Sequence, residues 1–220
     1  MIKNVIFDND GVLICSNDVY YHFFQKIGAE YGLNVTKEFY GSVTGGGLSD
    51  SANAFVNQIG ISPKDASMLV EEIRKQFTKF IETYVIPLKP GVIEILTYLK
   101  EHDINRYVAS SSVQSIVERG HHQTGIYEYF NGRIYGDMVK ERKPDPEIYL
   151  SCMEQNHLKK EETIIIEDSM NGIIAAHRAG VRCIGVPDMF DVSEWEEKGY
   201  CVICNSLCEA IQYIEKENQK

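Results

Sequence analysis

Apolar positions near the N-terminus run continuously instead of alternating. Val5, Ile6 and Phe7 read as a short strand buried on both faces and closed by a turn at Gly11. The pattern then switches to a helical period. "SNDVYYHFFQKIGAEYG" puts Val19, Phe23 and Ile27 on one face, with Ser16 or Asn17 as N-cap and Gly32 as the stop. "LSDSANAFVNQIG" repeats that pattern with Ser49 as cap. "SPKDASMLVEEIRKQFTKFIETY" has Ser62 as cap, Pro63 at the first helical position and an apolar stripe through Leu69, Ile73, Phe77, Phe80 and Tyr84. Residues 15–86 are therefore predicted all-helical, between breaks near Cys15 and near Pro87 in "IPLKPG".

From Pro90 onward helix and strand signals alternate. A helix over 92–102 precedes the strand "RYVAS", and a helix over 112–119 precedes "GRIYG". A helix over 146–155, the strand "TIIIED", a helix over 171–179 and the strand "VRCIGV" follow. "YCVIC" is the last predicted strand, ahead of a final helix. Strands that are apolar throughout and separated by helices imply an α/β fold, a doubly wound, mainly parallel sheet covered on both faces.

Composition narrows the class without changing that picture. The 220 residues suffice for one large domain or a domain with an insertion, and 44% hydrophobic with 25% charged residues is ordinary for a globular chain. A net charge of -10 disfavours nucleic acid and anionic lipid as partners. The N-terminal apolar run is broken at once by acids, unlike a signal peptide, and no stretch approaches a membrane span. A cytoplasmic monomer is the default expectation. Cys201, Cys204 and Cys208 lie in "CVICNSLC", but no second cysteine pair or His pair completes a zinc site, so Cys201 and Cys204 are expected to pack as small hydrophobes.

Ligands of parallel sheets bind beyond the carboxyl ends of the strands, which makes the polar residues there informative. Asp8 and Asp10 leave the first strand on one side, and two carboxylates held close call for a cation or a proton. Ser110, Ser111 and Ser112 end "RYVASSS", Glu167 and Asp168 end "TIIIED", and Lys143 precedes a stiff Pro-x-Pro segment. Each alone has a plain explanation as helix cap, turn acid or solvated lysine. Together, at successive strand ends, they point to one site.

Asp8-Asn9-Asp10-Gly11-Val12-Leu13, Ser110, Lys143-Pro144 and Glu167-Asp168-Ser169 running into Asn171-Gly172 occur in this order over nearly the whole chain. In these motifs the sequence resembles the haloacid dehalogenase-like superfamily, in the branch with a helical cap, and its phosphatases and β-phosphoglucomutases. The resemblance implies a Rossmann-like catalytic core of residues 1–14 and 87–220, with a cap of residues 15–86 inserted after the first strand. It implies Asp8 as the nucleophile that forms an aspartyl-phosphate and Asp10 as general acid and base. It further implies Ser110, Ser111 and Lys143 on the phosphoryl group. Mg²⁺ would lie on Asp8, Asp168 and the backbone carbonyl of Asp10, with Glu167 completing the metal site either through water or by orienting the ligands.

In this family the cap closes over the site and selects the substrate. Candidate contacts are Ser16, Tyr20, His22, Lys75, Lys79 and the "TGGGLSD" loop with Gly45, Gly46 and Gly47. His22, on an aromatic-rich helix, reads first as a packed core residue, and the two lysines are readable as a solvated face and the glycines as a plain turn. In register from Asp8, Leu48 and Tyr20 stand where the mutases resemble one another in a cap arginine and histidine, and Cys15 replaces a common aspartate. The expectation is a Mg²⁺-dependent phosphatase acting on a sugar or polyol phosphate, with a phosphomutase as the alternative. A non-catalytic binding module is a third reading, disfavoured by the complete set of motif residues.

Overall fold

The computed structural model describes residues 1–43 and 48–220. Among them six parallel strands form one sheet in the order β3-β2-β1-β4-β5-β6. These are β1 (Asn4–Phe7), β2 (Asn105–Ser110), β3 (Gly132–Tyr135), β4 (Thr163–Glu167), β5 (Arg182–Gly185) and β6 (Val202–Ile203). All four residues of β1 and all five of β4 are buried, as continuous apolar runs between two covered faces must be. Alternation still assigns sides. Val5, Phe7, Val108, Ile164 and Ile166 enter one core, while Ile6, Tyr107, Ala109 and Ile165 enter the other.

Among the described residues, every strand lies outside the stretch between β1 and β2 that is predicted helical, and the regular elements of this stretch are helices. It contains α1 (Ser16–Glu30), α2 (Lys37–Val43), α3 (Leu48–Ala54) and α4 (Pro63–Ile81). α4 starts as predicted: the Ser62 hydroxyl accepts from the Asp65 N–H and Pro63 opens the helix. Phe23, Ile27, Leu69, Ile73 and Phe77 are buried, and the Tyr20 ring meets Phe77 edge-on at 4.6 Å. The entering and leaving chains pair with each other. Ile14 bridges Leu88 in antiparallel sense, and the Cys15 and Lys89 N–H groups donate to the Pro87 and Leu13 carbonyls, each at 2.9 Å.

Two expected helix caps are corrected. α1 has Cys15 at its N-cap position with no side-chain cap, because the Ser16 and Asn17 side chains are turned into polar contacts elsewhere. Ser49 lies inside α3, and the turn Phe55–Ile59 widens to a π-helix before Gly60 closes it at φ +84°. α2 and the five-residue helix α9 (Ser193–Glu197) are additional elements too short to generate a clear period. The Gly45, Gly46 and Gly47 loop lies outside the described residues.

The remaining helices are α5 (Val92–Glu101), α6 (Gln114–Thr124), α7 (Glu147–Gln155), α8 (Met170–Ala179) and α10 (Leu207–Asn218). α5 and α10 contribute to the core that contains Val5 and Phe7, while α7 and α8 contribute to the core around Ile6. Among the described residues, no helix is long and apolar enough to cross a membrane. All six cysteines are free thiols, with Cys201 and Cys204 buried in apolar packing.

Candidate active site

β1 is flanked by β2 and β4, so Asp8, Ser110 and Glu167 stand at the carboxyl ends of three neighbouring strands. The Asp8 N–H still bonds the Ile166 carbonyl at 3.0 Å, and the chain then turns away at Asn9. Gly11 makes that turn possible. Its φ is +86°, and a Cβ there would stand 2.1 Å from Asp168 Oδ2.

Lys143 binds the site together from below. It is 1% exposed, and its Nζ donates to Asp8 Oδ1 at 2.5 Å, Glu167 Oε1 at 2.7 Å and the Ala109 carbonyl at 3.2 Å. Burial would lower its pKa, but the Asp8 and Glu167 carboxylates outweigh burial and hold the ammonium well above its ordinary range. Glu167 accepts from Lys143 and the Tyr149 hydroxyl on one oxygen, and from the Asp168 N–H, Ser169 N–H and Ser169 hydroxyl on the other. Burial would raise this carboxyl, yet the Lys143 charge and these donors keep it below the usual range. Gly172 leaves the space Glu167 fills, since a Cβ there would lie 1.7 Å from its Oε1.

Asp8, Glu167 and Asp168 each offer a carboxylate oxygen within 4.8 Å of the others, and all three residues are buried. Burial, reinforced by Glu167 and Asp10 and opposed by Lys143, pushes Asp8 up to about 7. Burial followed by the Glu167, Asp8 and Asp188 charges raises Asp168 well above the carboxylate range. Asp168 Oδ1 is buried without a hydrogen-bond partner among the described residues. An all-oxygen donor set with an orphaned carboxylate oxygen suits a hard divalent cation.

Asp10 is held from three sides. The Ser16 hydroxyl donates to its Oδ1 at 2.6 Å, and the Ser112 and Ser110 hydroxyls donate to its Oδ2 at 2.8 and 3.4 Å. A cavity of about 190 Å³ opens beside Asp8, Asp10 and Asp168. Ser111, Ser112 and Arg142 border it near the sheet, while Tyr20, Phe24, Tyr40, Phe77 and Arg74 border it from the helical stretch.

Asp8, Asp10, Lys143, Glu167 and Asp168 are thus brought together, with Ser16, Tyr20 and Ser111 on the cavity wall. Ser110 is fully buried and does not border the cavity; its hydroxyl accepts from the Ser112 N–H at 3.0 Å and donates to Asp10. His22 is exposed, neither core nor cavity, because two residues along α1 rotate it about 200° from Tyr20. Lys75 and Lys79 are exposed and away from the cavity, and the cation that α4 places on its wall is Arg74. Ser112, Asn17, Arg74 and Asp188 were not among the candidates. Ser112 was visible in the serine run, whereas the other three carry no motif signal.

The chain is similar to several known proteins. The chain is 29% identical over 183 residues to "Phosphorylated carbohydrates phosphatase" of Thermotoga maritima, covering 83% of this chain and 84% of that one. It is 27% identical over 185 residues to "Pyrophosphatase PpaX" of Oceanobacillus iheyensis, covering 84% and 83%. The crystal structure of CbbY from Rhodobacter sphaeroides in complex with phosphate superposes with a TM-score of 0.73 at 26% identity, over 94% of this chain and 95% of that one. The family model described as haloacid dehalogenase-like hydrolase matches residues 5–186, from the first strand past the last acidic strand end. With the acids, the lysine and the parallel sheet all in the places that match spans, the chain belongs to the haloacid dehalogenase-like hydrolase family.

Proposed function

We propose that this hydrolase of phosphate monoesters is a Mg²⁺-dependent phosphatase for a small phosphorylated metabolite, a sugar or polyol phosphate, working through an aspartyl-phosphate on Asp8. The observation that carries the reading is the convergence of Asp8, Asp10 and Asp168 on one cavity with Lys143 beneath them. Asp8 attacks phosphorus and the ester oxygen leaves as Asp10 gives it a proton. Asp10 then takes a proton from water as that water attacks the phosphorus, releasing phosphate and restoring Asp8. Asp8, Asp168 and the Asp10 carbonyl would hold the cation, which when bound supplies positive charge to the phosphoryl oxygens. Glu167, with both oxygens engaged by protein donors, orients Lys143 and Asp168. Ser111 and Lys143 would meet the phosphoryl group.

Residues 15–86 would act as the cap, moving about the paired linkers at Ile14 and Leu88. Six unpaired cysteines fit a reducing, cytoplasmic setting. Phosphate release from a panel of carbohydrate phosphates, with Mg²⁺ and with chelator, tests the reading. Metal-dependent release from at least one sugar or polyol phosphate is expected, and no release from any would overturn it.

A mutase reading has one observation in its favour. Although Leu48 stands where an arginine was sought, Arg74 borders the cavity and forms a two-bonded pair with Glu71. An arginine can exchange such a partner for a phosphate or carboxylate on the substrate. Arg74→Ala is expected to raise KM about 10- to 100-fold for a substrate with a second anionic group, and to leave KM within about 2-fold for a neutral polyol phosphate. Steady-state kinetics on the two substrate classes measures this. Isomerisation of β-glucose 1-phosphate outrunning hydrolysis in the parent chain would make it a mutase.

A further inference from the structure

Asn17, in the first turn of α1, is 3% exposed and touches two carboxylates at once. Its Nδ2 donates to Asp168 Oδ2 and to Asp188 Oδ2, each at 2.9 Å, and its Oδ1 accepts from the Tyr40 hydroxyl at 3.4 Å. These contacts fix which way the amide faces, since a flipped amide would aim its carbonyl at both acids. Asp168 Oδ2 is thereby occupied, and Oδ1 is left as the carboxylate oxygen without a partner. Gly11 keeps the approach open, because a Cβ there would lie 2.4 Å from Asn17 Nδ2. The far side is anchored as well. Asp188 is ion-paired with Lys89 of the returning linker, whose own N–H holds the Leu13 carbonyl of the outgoing chain.

We infer that Asn17 is a positioning residue that presents Asp168 Oδ1 to the divalent cation, and that Asp188 and Lys89 hold Asn17 in that pose. The inference rests on the proposed cation at Asp168. A neutral amide suits this task better than lysine or arginine would. It orients the carboxylate by hydrogen bonding without adding positive charge that would repel the cation. The arrangement also ties the metal site to both linkers of the helical stretch. Asn17 comes from the outgoing chain, and Lys89 from the returning one. Turning α1 about its linker would withdraw Asn17 from Asp168, so cation affinity and the pose of the helical stretch are linked.

Mn²⁺ binding to the full-length, metal-stripped chain, followed by the electron paramagnetic resonance of the free ion, tests this without reference to turnover. Asn17→Ala is expected to raise the Mn²⁺ Kd about tenfold or more. Asp188→Glu, which keeps the charge but displaces the carboxylate, is expected to raise it less, and the double variant to bind no worse than Asn17→Ala, because Asp188 positions Asn17. Melting of the metal-free variants checks that they are folded, and Asp188→Glu carries the test if Asn17→Ala is not. Parental affinity in Asn17→Ala, or additive losses in the double variant, would overturn the inference while leaving the phosphatase reading intact. A parent chain that binds no Mn²⁺ would overturn both.

Discussion

Asp8→Asn is expected to lower turnover of any phosphate ester by at least about a thousandfold, roughly 4 kcal/mol of barrier. The substitution keeps the shape of the side chain, and its carbonyl oxygen can still accept from Lys143, so folding is preserved. What is lost is the anionic oxygen that attacks phosphorus. Acid-quenched protein incubated with labelled substrate separates this role from mere positioning. The parent chain should carry acid-stable label and Asp8→Asn should carry none. With a leaving group that needs no proton, such as p-nitrophenolate, Asp10→Asn should accumulate label, because the second step lacks its base. Near-normal turnover in Asp8→Asn would remove Asp8 from the nucleophile role.

Lys143→Met is expected to cost about 3–5 kcal/mol of stability as well as activity, because it strips the shared cation from two buried carboxylates. All three Nζ hydrogens are used, on Asp8, Glu167 and the Ala109 carbonyl, so methionine removes one donor from each of them at once. For a chain of this length the melting temperature should fall by roughly 6 to 20 °C. The sign of the pH dependence follows from the acids left behind. Without the ammonium the folded pKa of Asp8 rises further above its unfolded value, and Glu167 loses the charge that held it below the usual range, so folding of the variant is favoured at low pH and loses stability as pH rises through the raised values. The deficit of the variant relative to the parent should therefore be larger at pH 8 than at pH 5. Adding Glu167→Gln should restore part of the stability and none of the activity. A variant that melts within about 2 °C of the parent would refute the buried-triad account.

Legibility in the sequence followed the reach of each physical rule. Parallel strands buried on both faces must be apolar throughout, so β1 and β4 were readable, and the polar residues that interrupt them marked the site. Asp8, Glu167 and Asp168 were legible because sheet topology leaves strand ends only one place to converge, and Lys143, in the loop after β3, was legible from the Pro-x-Pro segment it precedes. Rotation about a helix is less forgiving. Adjacent residues differ by about 100°, so naming Lys75 instead of Arg74 exchanges a side chain on the cavity wall for one away from it. The same geometry separates Tyr20, on the wall, from exposed His22. Asn17 and Asp188 are 171 residues apart, and no local pattern connects them.

The sequence by itself determined the parallel α/β class, the helical stretch between the first two strands and the acidic and basic residues that meet at the strand ends. Those follow from periodicity and from the desolvation cost of polar groups, which act residue by residue. Tertiary structure alone decided that Glu167 is fully engaged by protein donors, that Ser110 is buried behind Ser112, and that Arg74 and Asn17 face the cavity. Such outcomes depend on which side of each helix packs inward and on which donors arrive first at a buried carboxylate. Both are settled only when segments distant in the chain compete for the same few ångströms.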